Sequence, residues 1–309
     1  MLGLLLFDFA QLVLAAPVCQ NASNPAFVCP EAASCFCTPS CNSSLPGCVS
    51  VSKNIVFSAK YDLKLDLYQP AVDNRTLRPA IVAIHGGGFS GGSRGSEGTW
   101  CQRLAARGYV CATVDYRLHK GIDPAKTPMK YPEIILNSTE DVRAAIRWLR
   151  TQHLEYRIDV TRVGALGASA GAMVVAYLTT VPGEGDGGNP AANSSIQAGV
   201  SFSGALLETE YLRIKPNQPP FFDMHGCDDT TVPYSAQSRP PLSLLFNAVS
   251  THNAMHIAGA RAWLMSFPNT GHIGSWAMRE AVNKHADNVY AFFAEHLNLA
   301  SAQCLPPLG

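Results

Sequence analysis

Two glycine-rich stretches hold the residues whose types and spacing can do chemistry. The first, His85-Gly86-Gly87-Gly88-Phe89-Ser90-Gly91-Gly92, directly follows the apolar run Ala80-Ile81-Val82-Ala83-Ile84. The second, Gly167-Ala168-Ser169-Ala170-Gly171, joins an apolar stretch ending in Ala165-Leu166 to the apolar segment Met173 to Leu178. Letter by letter, Gly86, Gly88 and Gly91 spell G-x-G-x-x-G, which cradles a dinucleotide pyrophosphate when a strand precedes it and a helix follows at once. The same glycines can instead aim N–H groups at a developing oxyanion. The second stretch is G-x-S-x-G in strand–turn–helix order, a context in which a sharp turn presents a serine hydroxyl. Glycine and alanine fill all four places around Ser169, so strand and helix can approach closely. The N–H of Ala170 then sits at the helix start, pointing at negative charge.

A serine hydroxyl is a poor nucleophile until an oriented base takes its proton. Where such an elbow rides on an α/β sheet, the acid and then the histidine follow the serine at later strand ends. After Phe221 to His225 comes Gly226-Cys227-Asp228-Asp229-Thr230-Thr231-Val232-Pro233, where two acids compete. After Ala262 to Phe267 comes Pro268-Asn269-Thr270-Gly271-His272. Of the nine histidines, only His272 combines a strand end with a Gly-His loop. His252 and His256 sit inside a helical pattern, and His285 and His296 lie on a terminal one. His272 is the expected base.

The elements that must position these residues are legible as patterns. Asp62 to Tyr68 alternates polar and apolar with period two, the mark of a strand with one wet face. Continuous apolar runs predict strands at 80–84, 109–114, 163–166, 198–202, 221–225 and 262–267. Amphipathic stretches near 97–107, 139–152 and 170–180 predict helices, and a last helix is expected from Trp276 to His296. Residues 117–138 and 181–195 are Pro/Gly-rich and read as surface loops. Strands alternating with helices, without an internal repeat, define an α/β protein with a mostly parallel sheet covered on both faces.

In combination, "LDLYQP", "IHGGGF", "VDYRL", "DVRAAIRWLR", "GASAG", "HGCDDTTVP" and the final "GH" resemble the α/β-hydrolases of the esterase/lipase group that carry H-G-G-G-F. The likeness is narrowest to the small feruloyl- and acetyl-esterase-like (BD-FAE-like) carboxylesterases and covers residues 53 to 297. It implies an α/β-hydrolase fold, hydrolysis of a small-molecule carboxylic ester, and neither cofactor nor metal; the apolar leader and cysteine-rich segment at the amino end suggest polysaccharide-linked esters as a further substrate. The family pattern H-G-x-x-D-x-x-V-P places the acid fifth, which implies Asp229 for that role and leaves Asp228 as a turn residue. It also implies Gly87 and Gly88 as oxyanion-hole donors beside Ala170, with His85 and Phe89 anchoring the loop. The chain departs from the family at Cys227, where threonine is usual, which points to a local disulfide near the acid. "HKGIDPAKTPMKYPE" also replaces a shorter loop and so alters the pocket's shape.

Rival readings fit less of the chain. Asp115 ends the strand after the first glycine stretch, where a ribose-binding acid belongs in a dinucleotide site. Yet Phe89 to Gly95 is a loop that delays the helix, and that reading leaves Ser169, Asp229 and His272 without a role. A phosphate loop of the Walker type needs a Lys-Ser/Thr pair after the glycines, which is missing. A hydrolase fold reused as a binding module usually lacks its nucleophile or base, and all three positions are intact here. Arylformamide or peptide substrates would use the same machinery.

Composition bounds the partners and the compartment. Lys+Arg and Asp+Glu both number 23 in 309 residues, so the chain lacks the basic excess of a nucleic-acid footprint. Residues 1–16 are apolar, end in small residues and read as a signal peptide; a spanning helix needs ~20 apolar residues, so no stable membrane insertion is expected. Residues 17–52 form a cysteine-rich segment, 53–300 the α/β-hydrolase domain and 301–309 a tail. Ten cysteines are present, six of them at 19, 29, 35, 37, 41 and 48, where no C-x2-C pair and no histidine supply a zinc site. Disulfides of open connectivity are expected instead. With N-x-[ST] sequons at Asn21, Asn42, Asn74, Asn137 and Asn193, the reading is a secreted, glycosylated protein.

Overall fold

The computed structural model describes residues 48–121, 130–181, 192–207, 210, 213–235, 247–273 and 286–298. The expected leader, all but the end of the cysteine-rich segment, and the C-terminal tail lie outside the described residues.

Among the described residues, eight strands form one sheet: β1 (Val49–Ser58), β2 (Leu63–Pro70), β3 (Arg78–Ile84), β4 (Val110–Val114), β5 (Ile158–Ala168), β6 (Ala198–Phe202), β7 (Phe221–Gly226) and β8 (Ala262–Phe267). Their order is β1-β2-β4-β3-β5-β6-β7-β8. The β1–β2 and β2–β4 pairs are antiparallel, and every pair from β4 through β3 to β8 is parallel. The helices between them are α1 (Gly98–Ala106), α2 (Tyr131–Thr151), the single turn α3 (His153–Tyr156), α4 (Ala170–Thr180), α5 (Ala248–Ile257) and α6 (Ala286–His296).

The apolar runs are continuous because both sheet faces are covered. Along β3, Ala80, Val82 and Ile84 join a core with residues of α2, α4 and α5, while Ile81 and Ala83 face one built with α1 and α6. Every residue of α4 is buried, which explains an apolar composition with no polar stripe. Buried arginines fasten the layers: Arg150 of α2 donates to the carbonyls of Val160, Asn193 and Ser195 at 2.6–3.0 Å. A disulfide joins Cys101 of α1 to Cys111 of β4, and Cys48 and Cys227 are also disulfide-bonded. Among the described residues, no helix is long and apolar enough to cross a membrane.

Two boundaries differ from the sequence reading. The segment 117–138 is not loop throughout, because α2 begins at Tyr131. Pro132, within the segment read as loop, falls in the first helical turn, where its missing N–H has no intrahelical acceptor to lose. Strand β1 starts at Val49 and so crosses the boundary drawn at residue 53. It is an edge strand with mostly exposed side chains, and register shifts interrupt its pairing with β2 around Asn54. Too little of it is buried to leave an apolar run. Of the expected last helix, Ala286–His296 is described and the stretch 274–285 is not.

Candidate active site

The site lies at the carboxyl ends of the parallel strands, where loops leave the sheet. Strand β5 ends at Ala168 and α4 begins at Ala170, so Ser169 alone makes the turn, with φ 55° and ψ −118°. Few non-glycine residues hold such a conformation, and it persists only where the surroundings over-determine it. Here they do. The Ser169 N–H donates to the Phe202 carbonyl at 2.9 Å, and α4 crosses so near β3 that a Cβ on Gly171 would lie 2.2 Å from the Ile84 carbonyl oxygen. The glycine spacing around Ser169 is thus a steric requirement of the crossing.

His272 enters on the loop after β8, and Asp229 on the turn after β7. The two segments are laced together by backbone hydrogen bonds, Cys227 N–H to the Phe267 carbonyl at 3.0 Å and Asp228 N–H to the Thr270 carbonyl at 2.9 Å. A further tether comes from the residue just after β6, since Ser203 Oγ accepts the Ile273 N–H at 3.0 Å. The result brings three distant residues into line. His272 Nε2 lies 2.8 Å from Ser169 Oγ, and its Nδ1 lies 2.7 Å from Asp229 Oδ2. With the Nδ1 proton donated to the carboxylate, Nε2 is left to accept from the serine hydroxyl.

The electrostatics favour an ionised acid. Asp229 is fully buried, and burial by itself would raise its pKa. Hydrogen bonds and charge from His225 and His272 outweigh that and hold the carboxyl well below the usual range. Its Oδ1 also accepts the N–H groups of Thr231 and Val232 at 2.9 and 3.0 Å, which fixes the carboxylate's rotation. Asp228, the competing acid, is exposed and points its chemistry at solvent. The geometry therefore separates two neighbours that their residue type leaves equal.

The glycine stretch after β3 folds back on itself through Gly87, whose carbonyl accepts from Ser90 and Gly91 N–H groups at 3.1 and 3.0 Å. Gly87 and Gly88 have φ +114° and +59°. Among the described residues, none of the N–H groups of Gly87, Gly88 and Ala170 meets a protein acceptor. Helix α4 does not need the Ala170 donor, because the first N–H groups of a helix have no partner within it. His85 and Phe89 are buried and hold the loop from below: the His85 ring stacks on Tyr116 at 4.3 Å, and Phe89 meets Tyr131 edge-on at 5.6 Å. Asp115, the residue a dinucleotide site would need, is instead paired with Arg94 through both its carboxylate oxygens.

Two contributors carried no role in the sequence reading. Arg94 bridges Asp66, Asp115 and Asn54 and so ties the glycine loop to β1, β2 and the end of β4. Those partners stand 21 to 40 residues away, and no local pattern announces them. His225 lies fully buried against Asp229, with Asp223 on its other side. The period-two spacing of Asp223 and His225 on one strand face was the available signal.

Comparison with known proteins agrees with this architecture. The fold and the site define an α/β-hydrolase. A family model, BD-FAE, matches residues 65–206, and over that stretch the chain resembles α/β-hydrolase esterases of that type. The chain is 27% identical over 207 residues to a probable carboxylic ester hydrolase, LipM, of Mycobacterium tuberculosis; the match covers 55% of this chain and 46% of that one. It spans less than half the length of the curated relatives it matches. Among solved structures, the thermophilic esterase Est2 of Thermogutta terrifontis superposes with a TM-score of 0.65 at 25% identity, over 85% of this chain and 95% of that one. The same esterase phosphorylated by paraoxon gives a TM-score of 0.63 at 26% identity, over 81% and 94%.

Proposed function

We propose that this chain is a secreted serine hydrolase that cleaves short acyl or aryl carboxylic esters through an acyl-enzyme on Ser169. The observation that carries the reading is the continuous hydrogen-bonded line Ser169–His272–Asp229 at 2.8 and 2.7 Å, mounted on a strained elbow. Relatives named for carboxylic ester hydrolysis, and a structural neighbour phosphorylated by paraoxon, support the same bond type.

The steps follow from the geometry. Ser169 Oγ attacks the ester carbonyl carbon as His272 Nε2 takes its proton, and the carbonyl π pair moves onto oxygen. Asp229 keeps the imidazole oriented and steadies its positive charge. The oxyanion accepts from the N–H groups of Gly87, Gly88 and Ala170; loss of one such donor costs about 2.7–4 kcal/mol. Collapse breaks the bond to the alkoxy oxygen, which leaves as alcohol with the proton from His272. Water, deprotonated by the same ring, then attacks the acyl-serine, and Ser169 recovers its proton as the acid departs.

The secretory part of the proposal rests on the oxidised cysteines 48, 101, 111 and 227 and on the composition of residues 1–16. The sequons at Asn74 and Asn193 are on exposed residues, where a glycan disturbs no packing. An extracellular setting suits acyl groups on polysaccharide as natural substrates. The test is hydrolysis of p-nitrophenyl acetate, butyrate and palmitate by the purified protein and by Ser169→Ala. Turnover of the short esters, lost in the variant without loss of fold, is expected. Unchanged turnover in Ser169→Ala would overturn the assignment.

A further inference from the structure

The histidine that opens the acid-bearing turn is placed as no packing residue needs to be. Both ring nitrogens of His225 face oxygen acceptors. Nδ1 lies 3.1 Å from Asp223 Oδ2, and Nε2 lies 2.9 Å from the Val232 carbonyl and 3.2 Å from Asp229 Oδ2. A neutral imidazole has a single N–H, so one nitrogen would turn its lone pair on an oxygen. A buried clash of that kind is costly, whereas a ring protonated on both nitrogens satisfies every contact. We propose that His225 is a positioning residue: a buried imidazolium, clamped between Asp223 and Asp229, that fixes the carboxylate behind His272 and tempers that carboxylate's pull on the His272 ring.

The surrounding groups support a charged ring. On its own strand there is Asp223; on the following turn, Asp229 and the ring of Tyr234 at 5.9 Å; on the loop after β8, His272; from α5, His252 lies within the electrostatic reach of Asp223. Burial alone would lower the pKa of His225 from 6.5, but the hydrogen bonds and charges of Asp223 and Asp229 outweigh it and raise it to about 10. The four groups then alternate in sign: Asp223 negative, His225 positive, Asp229 negative, and His272 becoming positive in the transition state. A cation behind Asp229 offsets part of the negative charge that this carboxylate presents to the His272 ring. Its 3.2 Å ion-pair contact also holds Asp229 Oδ2 in place, while the Nε2–H donates to the Val232 carbonyl.

The proposal rests on the triad reading given above, and its test separates the two. In nitrogen-resolved NMR of the unaltered protein, both ring nitrogens of His225 are expected to carry protons from pH 6 to 8.5, irrespective of activity. A deprotonated nitrogen in that range, with the proton on Asp223 instead, would overturn the proposal and leave the triad untouched. In kinetics, His225→Gln keeps an N–H donor without charge. The acid limb of its kcat/KM profile on p-nitrophenyl acetate is expected to move up by about one pH unit, with a reduced plateau. A reduced plateau with an unmoved limb would show a merely structural role. Loss of the triad reading itself would appear separately, as activity retained in Ser169→Ala.

Discussion

Replacing Asp229 with asparagine changes few atoms and should nearly abolish turnover. Asp229 Oδ1 is held by two backbone N–H groups, those of Thr231 and Val232, so in Asp229→Asn the amide oxygen must take that place. The amide NH₂ then faces His272 Nδ1, 2.7 Å away in the native site. Two donors cannot share that contact, so the ring flips tautomer, moves its proton to Nε2, and presents an N–H to Ser169 Oγ. The serine loses its proton acceptor. In triads, this replacement lowers kcat by ~10⁴-fold, or about 5.5 kcal/mol of transition-state stabilisation. KM should change little, because the acid touches no substrate. Asp228→Asn, one position earlier and exposed, should stay within about twofold. Steady-state hydrolysis of p-nitrophenyl acetate, with circular dichroism to verify the fold, decides the matter. An Asp229→Asn variant within tenfold of wild type, or a crippled Asp228→Asn, would refute the tautomer argument.

The other predictions use different readouts. Gly87→Ala should lower kcat by at least ~10²-fold, since its Cβ would sit 2.3 Å from the Gly91 carbonyl oxygen and displace the proposed oxyanion donors. Gly88→Ala, with no backbone within reach, bears only the left-handed φ of +59° and should lose about tenfold or less; the reverse ranking would contradict the loop geometry. His225 retains a proton in the folded state that the unfolded chain releases, so its contribution to stability is complete below pH 6.5 and fades as pH rises to about 10. Urea midpoints should fall across that window and flatten in His225→Gln; an equal slope in both proteins would count against a charged ring. Removing the buried Cys101–Cys111 bridge by paired alanine substitutions should cost about 2–4 kcal/mol while leaving kcat at 25 °C unchanged, and an unmoved urea midpoint would contradict it.

How much of this was legible follows from which interactions are local. The central strands announce themselves because β3, β4, β6 and β7 are buried throughout, so hydrophobicity alone marks them. The elbow is legible for a steric reason, the crowding of Gly167 and Gly171 between strand and helix. The choice between Asp228 and Asp229 is not written in either side chain. It required the spacing of a resembling family, and the geometry accounts for it through burial and the two backbone donors. Edge strand β1 was hidden because its exposed side chains leave no apolar run, and the start of α2 because Pro132 lies in a Pro/Gly-rich stretch that reads as loop until its place in the first turn is known. The Arg94 network and the His225 clamp depend on chain segments meeting in space, which periodicity cannot report.

The proposed chemistry requires Ser169 to be the group that forms the acyl bond. Paraoxon, which phosphorylates the Thermogutta terrifontis esterase, donates its phosphoryl group to an activated nucleophile. Peptide mass spectrometry after stoichiometric treatment of this protein should find a single adduct on the peptide carrying Gly167-Ala168-Ser169-Ala170-Gly171, matched by full loss of ester hydrolysis. An adduct on another residue, or complete phosphorylation of Ser169 with hydrolysis intact, would contradict it.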